Sequence, residues 1–230
     1  FRPLRRLVLP PLPRAGEGWG EGARVVTALL TVCFAAWTTA ALAVPALSQP
    51  TSAEIDRLRM HADAGRNGRA LDALRTHARA GLADAQRATG EALVRASGRE
   101  HVREGLMWLE LAAAQGDVRA MLSLGKLWLL GAQDFAPNAE KARTWFERAM
   151  PDSNPQAAYY LGLIAKSGYD KAPDHAQALK HFQFAALQGI AEAMYLLGNA
   201  HANGEGTDVD SREAMRWYLR AAALDHPQAI

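Results

Sequence analysis

Cysteine is almost absent from this chain of 230 residues. Its single Cys33 lies inside an apolar run, so neither an intrachain disulfide nor a cysteine-built zinc site can form. Clustered positive charge is missing too. The 26 basic and 24 acidic side chains leave a formal net charge of +2, and five arginines stand before Pro45, so the remainder is close to neutral. Neutralising a phosphate backbone takes a basic stripe, and nucleic acid is therefore not an expected partner. The seven histidines show no HExxH or comparable ligand spacing; His175 and His181 are six apart, which turns two helical side chains off a common face. Glu205, Asp208 and Asp210 share one stretch but lack the twelve-residue calcium-loop pattern. Gly204-Glu205-Gly206 is too short for a dinucleotide fingerprint, and no GxSxG elbow occurs. No catalytic set, cofactor motif or metal site is expected, and neither is an enzyme.

The N-terminal fifth does not read as part of a fold. Residues 1–24 open on Phe1 and are rich in Gly and Pro, which marks a non-structural leader or a spurious extension of the frame. Residues 25–44 form a 20-residue uncharged run behind Arg24, and Ala41-Leu42-Ala43 has the small-x-small form of a signal-peptidase site. Two readings of 25–48 stay open, a cleaved secretory signal and an uncleaved membrane anchor. The threonines and many alanines make the run weakly hydrophobic, which favours cleavage.

What the rest of the chain has is a repeat. The pattern Trp, then Ala-Ala, then Gly appears as Trp108, Ala112-Ala113 and Gly116, and again as Trp217, Ala221-Ala222 and Asp225. Trp145, Ala149 and Ser153 keep that spacing, as do His181, Ala185-Ala186 and Gly189, with a worn copy at Ala73, Ala78 and Gly81. The last column steps by 35, 37, 36 and 36 residues. Nine residues beyond it stand Gly90, Gly125, Gly162 and Gly198, the last three behind Leu, and six further stand Gly131, Gly168 and Gly204. Small residues (Ala70, Gly105, Ala142, Ala178, Ala214) precede the Trp column by three.

These columns predict helix pairs. Small residues at fixed helical positions let helices approach closely, and the large residue fills the gap between successive pairs. Glycines after the Ala-Ala steps suit helix C-termini, with breaks near Gly81, Gly116, Gly168, Gly189 and Gly204. Asp174, Asp210 and Asn138 are candidate N-caps, the first two in capping-box patterns with Gln177 and Glu213. Trp145, flanked by copies on both sides, is expected in a complete pocket and Trp19 outside it. Residues 52–64, with Ile55, Leu58 and Met60, read as a capping helix within a 49–67 cap and linker. At the far end Ala229-Ile230 falls where another helix should start, so the 68–230 array reads as truncated there.

The combined pattern, A-x-x-x-L-G-x-x-x-x-x-G followed by D-x-x-x-A-x-x-W-x-x-x-A-A-x-x-G, resembles the Sel-one-like repeat, a relative of the tetratricopeptide repeat. Gly204 to Asp210 is similar to that family's inter-helix loop, whereas the loops after Gly131 and Gly168 lack its second glycine. The resemblance covers about residues 68–230 and implies an all-α, right-handed α/α solenoid of antiparallel pairs with a period of about 36 residues. It further implies an exported scaffold or adaptor of the bacterial envelope, periplasmic or secreted, that binds a protein or peptide on a concave face. A membrane-anchored periplasmic regulator is the alternative. An enzyme like the cysteine-rich, β-lactamase-like relatives is disfavoured by the single cysteine. Aligning the Leu-Gly column with that of tetratricopeptide repeats places Arg119, Leu122, Lys126, Gln156, Tyr159, Lys166, Glu192, Tyr195 and Asn199 toward a bound peptide. Tyr159 and Tyr195 are the expected anchors, with Arg119 and Lys126 reading charge.

Overall fold

A computed structural model describes residues 50–229, apart from 64–67, 97, 133–134, 151–153 and 170. The leader, the apolar run with Cys33, and Ser153 lie outside these residues. Among the described residues the fold is wholly helical: α1 Ser52–Asp63, α2 Gly68–Arg79, α3 Ala83–Arg95, α4 Arg99–Ala114, α5 Val118–Leu130, α6 Ala139–Ala149, α7 Pro155–Ser167, α8 His175–Leu187, α9 Ala191–Asn203 and α10 Ser211–Ala222. The sole β-like contact among them is an isolated bridge between Ala132 and Phe135. The helices form an α/α solenoid in which α3–α4, α5–α6, α7–α8 and α9–α10 are the tightest pairs, and each pair's second helix packs on the first of the next. No described helix is long and apolar enough to cross a membrane.

Local chemistry sets the helix ends. The side chains of Asp117, Asn138, Asn154, Asp174 and Asp210 each accept a backbone N–H from the first turn that follows, and Pro155 stands just after the Asn154 cap. Asp210 accepts two such bonds, and chiefly for that reason its carboxyl is held below the usual range. The return half of the predicted capping boxes does not form. The cap's own N–H donates instead to the preceding helix: Asn138 to the Trp128 carbonyl at 2.6 Å, Asp174 to that of Ala165 at 2.9 Å and Asp210 to that of His201 at 2.8 Å. These three acceptors share one column, so the loops inside the last three pairs are clamped alike. Gly131, Gly168 and Gly204 open the loops with φ of 72°, 66° and 74°, and Gly81, Gly116 and Gly189 close the pairs at 89°, 89° and 91°. Asp225 takes the last of these left-handed positions without glycine's freedom, at φ 58°.

Within each pair the glycine of the Leu-Gly step is a contact surface. A Cβ on Gly125 would stand 2.5 Å from the Phe146 ring, one on Gly162 2.6 Å from Phe182, one on Gly198 2.5 Å from Tyr218 and one on Gly90 2.6 Å from Leu109. No real Cβ fits there, so glycine is what lets each large side chain reach the opposite helix. Leu109, Phe146 and Phe182 are fully buried as a result.

This column, one residue after Trp, corrects the expectation for Trp145. Trp108 and Trp217 are buried among Ile55, Leu74 and Ala78 and among Ala185, Ala186 and Ala193 respectively, which fills the gap between pairs. Trp145 is only half-buried, with the Arg148 guanidinium 4.3 Å over its ring; the complete pocket belongs to Phe146. Phe146→Ala should therefore cost about 3–5 kcal/mol, and Trp145→Ala roughly 1–2 kcal/mol. Urea unfolding of the two variants checks the order, and equal losses would contradict it.

His181 stands in the Trp column and is half-buried. Burial, and next the Arg143 charge, hold its imidazole below the ordinary value, with Glu147 opposing. A folded-state value below the unfolded one means stability is full above about pH 6.5 and falls as acid drives protonation. His181→Phe should narrow the gap between urea midpoints measured at about pH 8 and about pH 5.5. An unchanged gap would remove His181 from the acid response.

Candidate functional site

The first helices of the last three pairs, α5, α7 and α9, carry the residues read from sequence as partner-facing. Three of them are exposed and in register one repeat apart: Arg119, Gln156 and Glu192, each in the first turn of its helix. A cation, an amide and a carboxylate thus follow one another along the array. That row offers hydrogen bonds and charge without a deep pocket.

The next column does not behave as a surface. Leu122 is 7% exposed and belongs to the core beside Leu124 and Phe146, so it is withdrawn as a contact residue; its helix face is turned into the array. In the same column the first repeat has Arg87, buried among Asp84, Glu91 and Asp117 at 3.2, 3.6 and 3.2 Å. Tyr159 and Tyr195 are half-buried. Tyr159 meets Tyr160 and Phe182 at ring-centroid distances of 5.1 and 6.5 Å, and burial, then Tyr160 and Glu192, raise its hydroxyl's pKa. Tyr195 stacks on His226 at 4.7 Å and meets Tyr218 at 5.7 Å. Both tyrosines brace neighbouring helices, so removing the pair would loosen the array as well as its surface.

The remaining three lie at the far end of these helices. Lys126 is half-buried, its ammonium 5.3 Å from the Tyr160 ring centroid. Asn199 accepts the Tyr218 hydroxyl at 2.7 Å. Lys166 donates to Glu205 in the next repeat's loop at 2.6 Å, and chiefly this bond holds the Glu205 carboxyl below the usual range. Asn199 and Lys166 are thus already engaged within the fold, whereas Arg119, Gln156, Glu192 and Lys126 present polar groups outward.

Sequence reasoning missed a groove between α3 and α5. It encloses about 510 Å³ and is lined by Val94, Leu127 and Leu130 with Glu91, Arg95, Ser123 and Lys126 at its polar edge. One signal for it was available. Leu130 directly precedes a loop glycine, where the following copies have Ser167 and Asn203. Among the described residues no three His, Cys, Asp or Glu side chains converge as a metal site would require.

Comparison with known proteins agrees with this architecture. The Sel1 repeat model matches residues 83–117, 118–149, 155–190 and 191–226, more than half of the chain. An uncharacterized protein of Neisseria meningitidis is 32% identical over 114 residues, covering 50% of this chain and 23% of that protein. The ERAD-associated E3 ubiquitin-protein ligase component HRD3B of Arabidopsis thaliana is 30% identical over 99 residues, covering 42% and 16%. The chain thus spans less than a quarter of these relatives' length. Among solved structures, a Sel1 repeat protein from Oxalobacter formigenes superposes with a TM-score of 0.65 at 26% identity, over 83% of this chain and 80% of its own. A protective antigen of uropathogenic Escherichia coli, displaying an SLR fold, gives 0.64 at 28% identity, over 69% and 34%. Four consecutive matches in register with the helix pairs leave one assignment: the chain belongs to the Sel1 repeat family.

Proposed function

We propose that this chain is an exported protein-binding scaffold of the bacterial envelope, taking a peptide-like segment of its partner along a concave face built by α3, α5, α7 and α9. The observation that carries the reading is the exposed row Arg119, Gln156 and Glu192, repeated in register on three successive first helices. Sel1 repeat proteins generally mediate protein–protein interactions, and stacked helix pairs offer extended surfaces well suited to that work. The name of the Arabidopsis relative, a ligase component, describes a protein that acts within an assembly. The uncharged run at 25–44 supports export, and it equally supports a second reading, a membrane-anchored periplasmic regulator. Mass of the mature N-terminus separates the two, since a start after residue 43 means cleavage.

A photo-crosslinking residue placed at 119, 156 or 192 should trap partner from envelope extract. The same residue at Glu110 or Glu147, exposed on the second helices α4 and α6, should trap none. Arg119→Glu combined with Glu192→Lys should keep the circular-dichroism melt and lose capture. Crosslinks from 110 and 147 alone would move the binding surface to the outer helices.

A further inference from the structure

We propose that the groove between α3 and α5 docks a short acidic segment of a partner protein. A bulky apolar side chain lies on Val94, Leu127 and Leu130, and a neighbouring carboxylate pairs with Lys126 beside Arg95. This rests on the protein-binding reading above and names the chemistry of its ligand.

The apolar half of the argument is Leu130. Its side chain is 75% exposed at the end of α5, in a column that holds Arg95, Ser167 and Asn203 in the other repeats. Val94 and Leu127 continue its surface into the groove, whose volume of about 510 Å³ admits one large side chain with its flanking backbone. Only this pair of repeats puts leucine at that position, so the groove is a local feature and not a property of every junction.

The charged half is a balance of signs. Glu91 is the one carboxylate at the edge, and it is surrounded by Arg59 at 3.7 Å, Arg87 at 3.6 Å and Arg95 at 3.4 Å, with the Ser123 hydroxyl donating to it at 3.1 Å. Its charge is spent within the fold. Lys126 has no carboxylate partner among the described residues and rests over the Tyr160 ring. Arg95, bonded to Glu91, stands 47% exposed at the rim. An entering carboxylate gains an ion pair with Lys126, whereas an entering cation meets Lys126 and Arg95 and gains nothing from the saturated Glu91.

The test is selection of random octapeptides displayed on phage against the immobilised full chain, followed by fluorescence polarisation of the enriched peptides. Enriched sequences should carry Leu, Ile, Phe, Met or Trp within two positions of Asp or Glu. Their Kd should rise roughly tenfold or more in Lys126→Glu and in Leu130→Asp, and a peptide with its acids changed to lysine should recover binding to Lys126→Glu. Leu130 is exposed, so Leu130→Asp should keep the wild-type melting temperature; Lys126→Glu gives up the contact with the Tyr160 ring, so its helicity is confirmed by circular dichroism before binding is read. Enrichment of basic or uncharged peptides overturns the proposal, as does binding indifferent to both variants. Peptides lost by Arg119→Ala but kept by Lys126→Glu would overturn the groove and leave the wider binding face intact. No enrichment over the blank support would count against both. Concentration-dependent dimerisation abolished by Leu130→Asp would assign the groove to a second copy of this chain instead.

Discussion

A large side chain pressed against a glycine is the contact on which the rest of this array depends. Leu109, Phe146, Phe182 and Tyr218 each reach across their pair to Gly90, Gly125, Gly162 and Gly198. The absence of a Cβ there sets how closely the two helices approach. That distance fixes where the Ala-Ala steps meet the neighbouring pair and how much room is left for Trp108 and Trp217. Phe146 also stacks on Tyr160 of the following repeat, with ring centroids 4.9 Å apart and planes within 8°, so one ring couples two pairs. Apolar burial supplies most of the stabilisation, and glycine supplies the geometry that makes it available.

Polar contacts between successive repeats fix direction more than they add energy. Arg87 reaches Asp117, the N-cap of the next pair, Ser123 reaches Glu91 and Lys166 reaches Glu205. Part-exposed polar contacts of this kind contribute about 1 kcal/mol or less each. The exception is Arg87, whose buried guanidinium is satisfied from three sides by Asp84, Glu91 and Asp117; removing those carboxylates together would strand its charge.

The period, the helix pairs and the capped starts at Asn138, Asp174 and Asp210 were legible because one residue type recurs at one spacing. The ring-on-glycine column was not. Its members are Leu, Phe, Phe and Tyr, and the conspicuous tryptophan stands immediately before it, so identity drew attention one position too early. His181 and half-buried Trp145 show how loosely that Trp column is specified. The proposed partner surface was legible only in part. Spacing brought Arg119, Gln156 and Glu192 together on a common face, but the same alignment placed Leu122 outside when it is core. It gave Tyr159 and Tyr195 a surface role when each also braces a neighbouring ring. Periodicity reports which residues share a face; it does not report how far the next repeat covers that face.

The clamp repeated at three loops, an N-cap amide held by a carbonyl three residues past the Leu-Gly glycine, has a consequence for how such a chain can change over generations. Adding or deleting one whole unit of about 36 residues carries the glycine, its ring, the cap and the acceptor together, so every class of contact survives. Adding or deleting a single residue inside a helix rotates everything beyond it by about 100°, which swings the ring away from its glycine and the carbonyl away from its amide at once. Variation in length is therefore channelled in two ways, into the number of units and into the segments between glycine and cap. Those segments differ here, from Gly131–Asn138 to the shorter Gly168–Asp174, while the helices they join keep step.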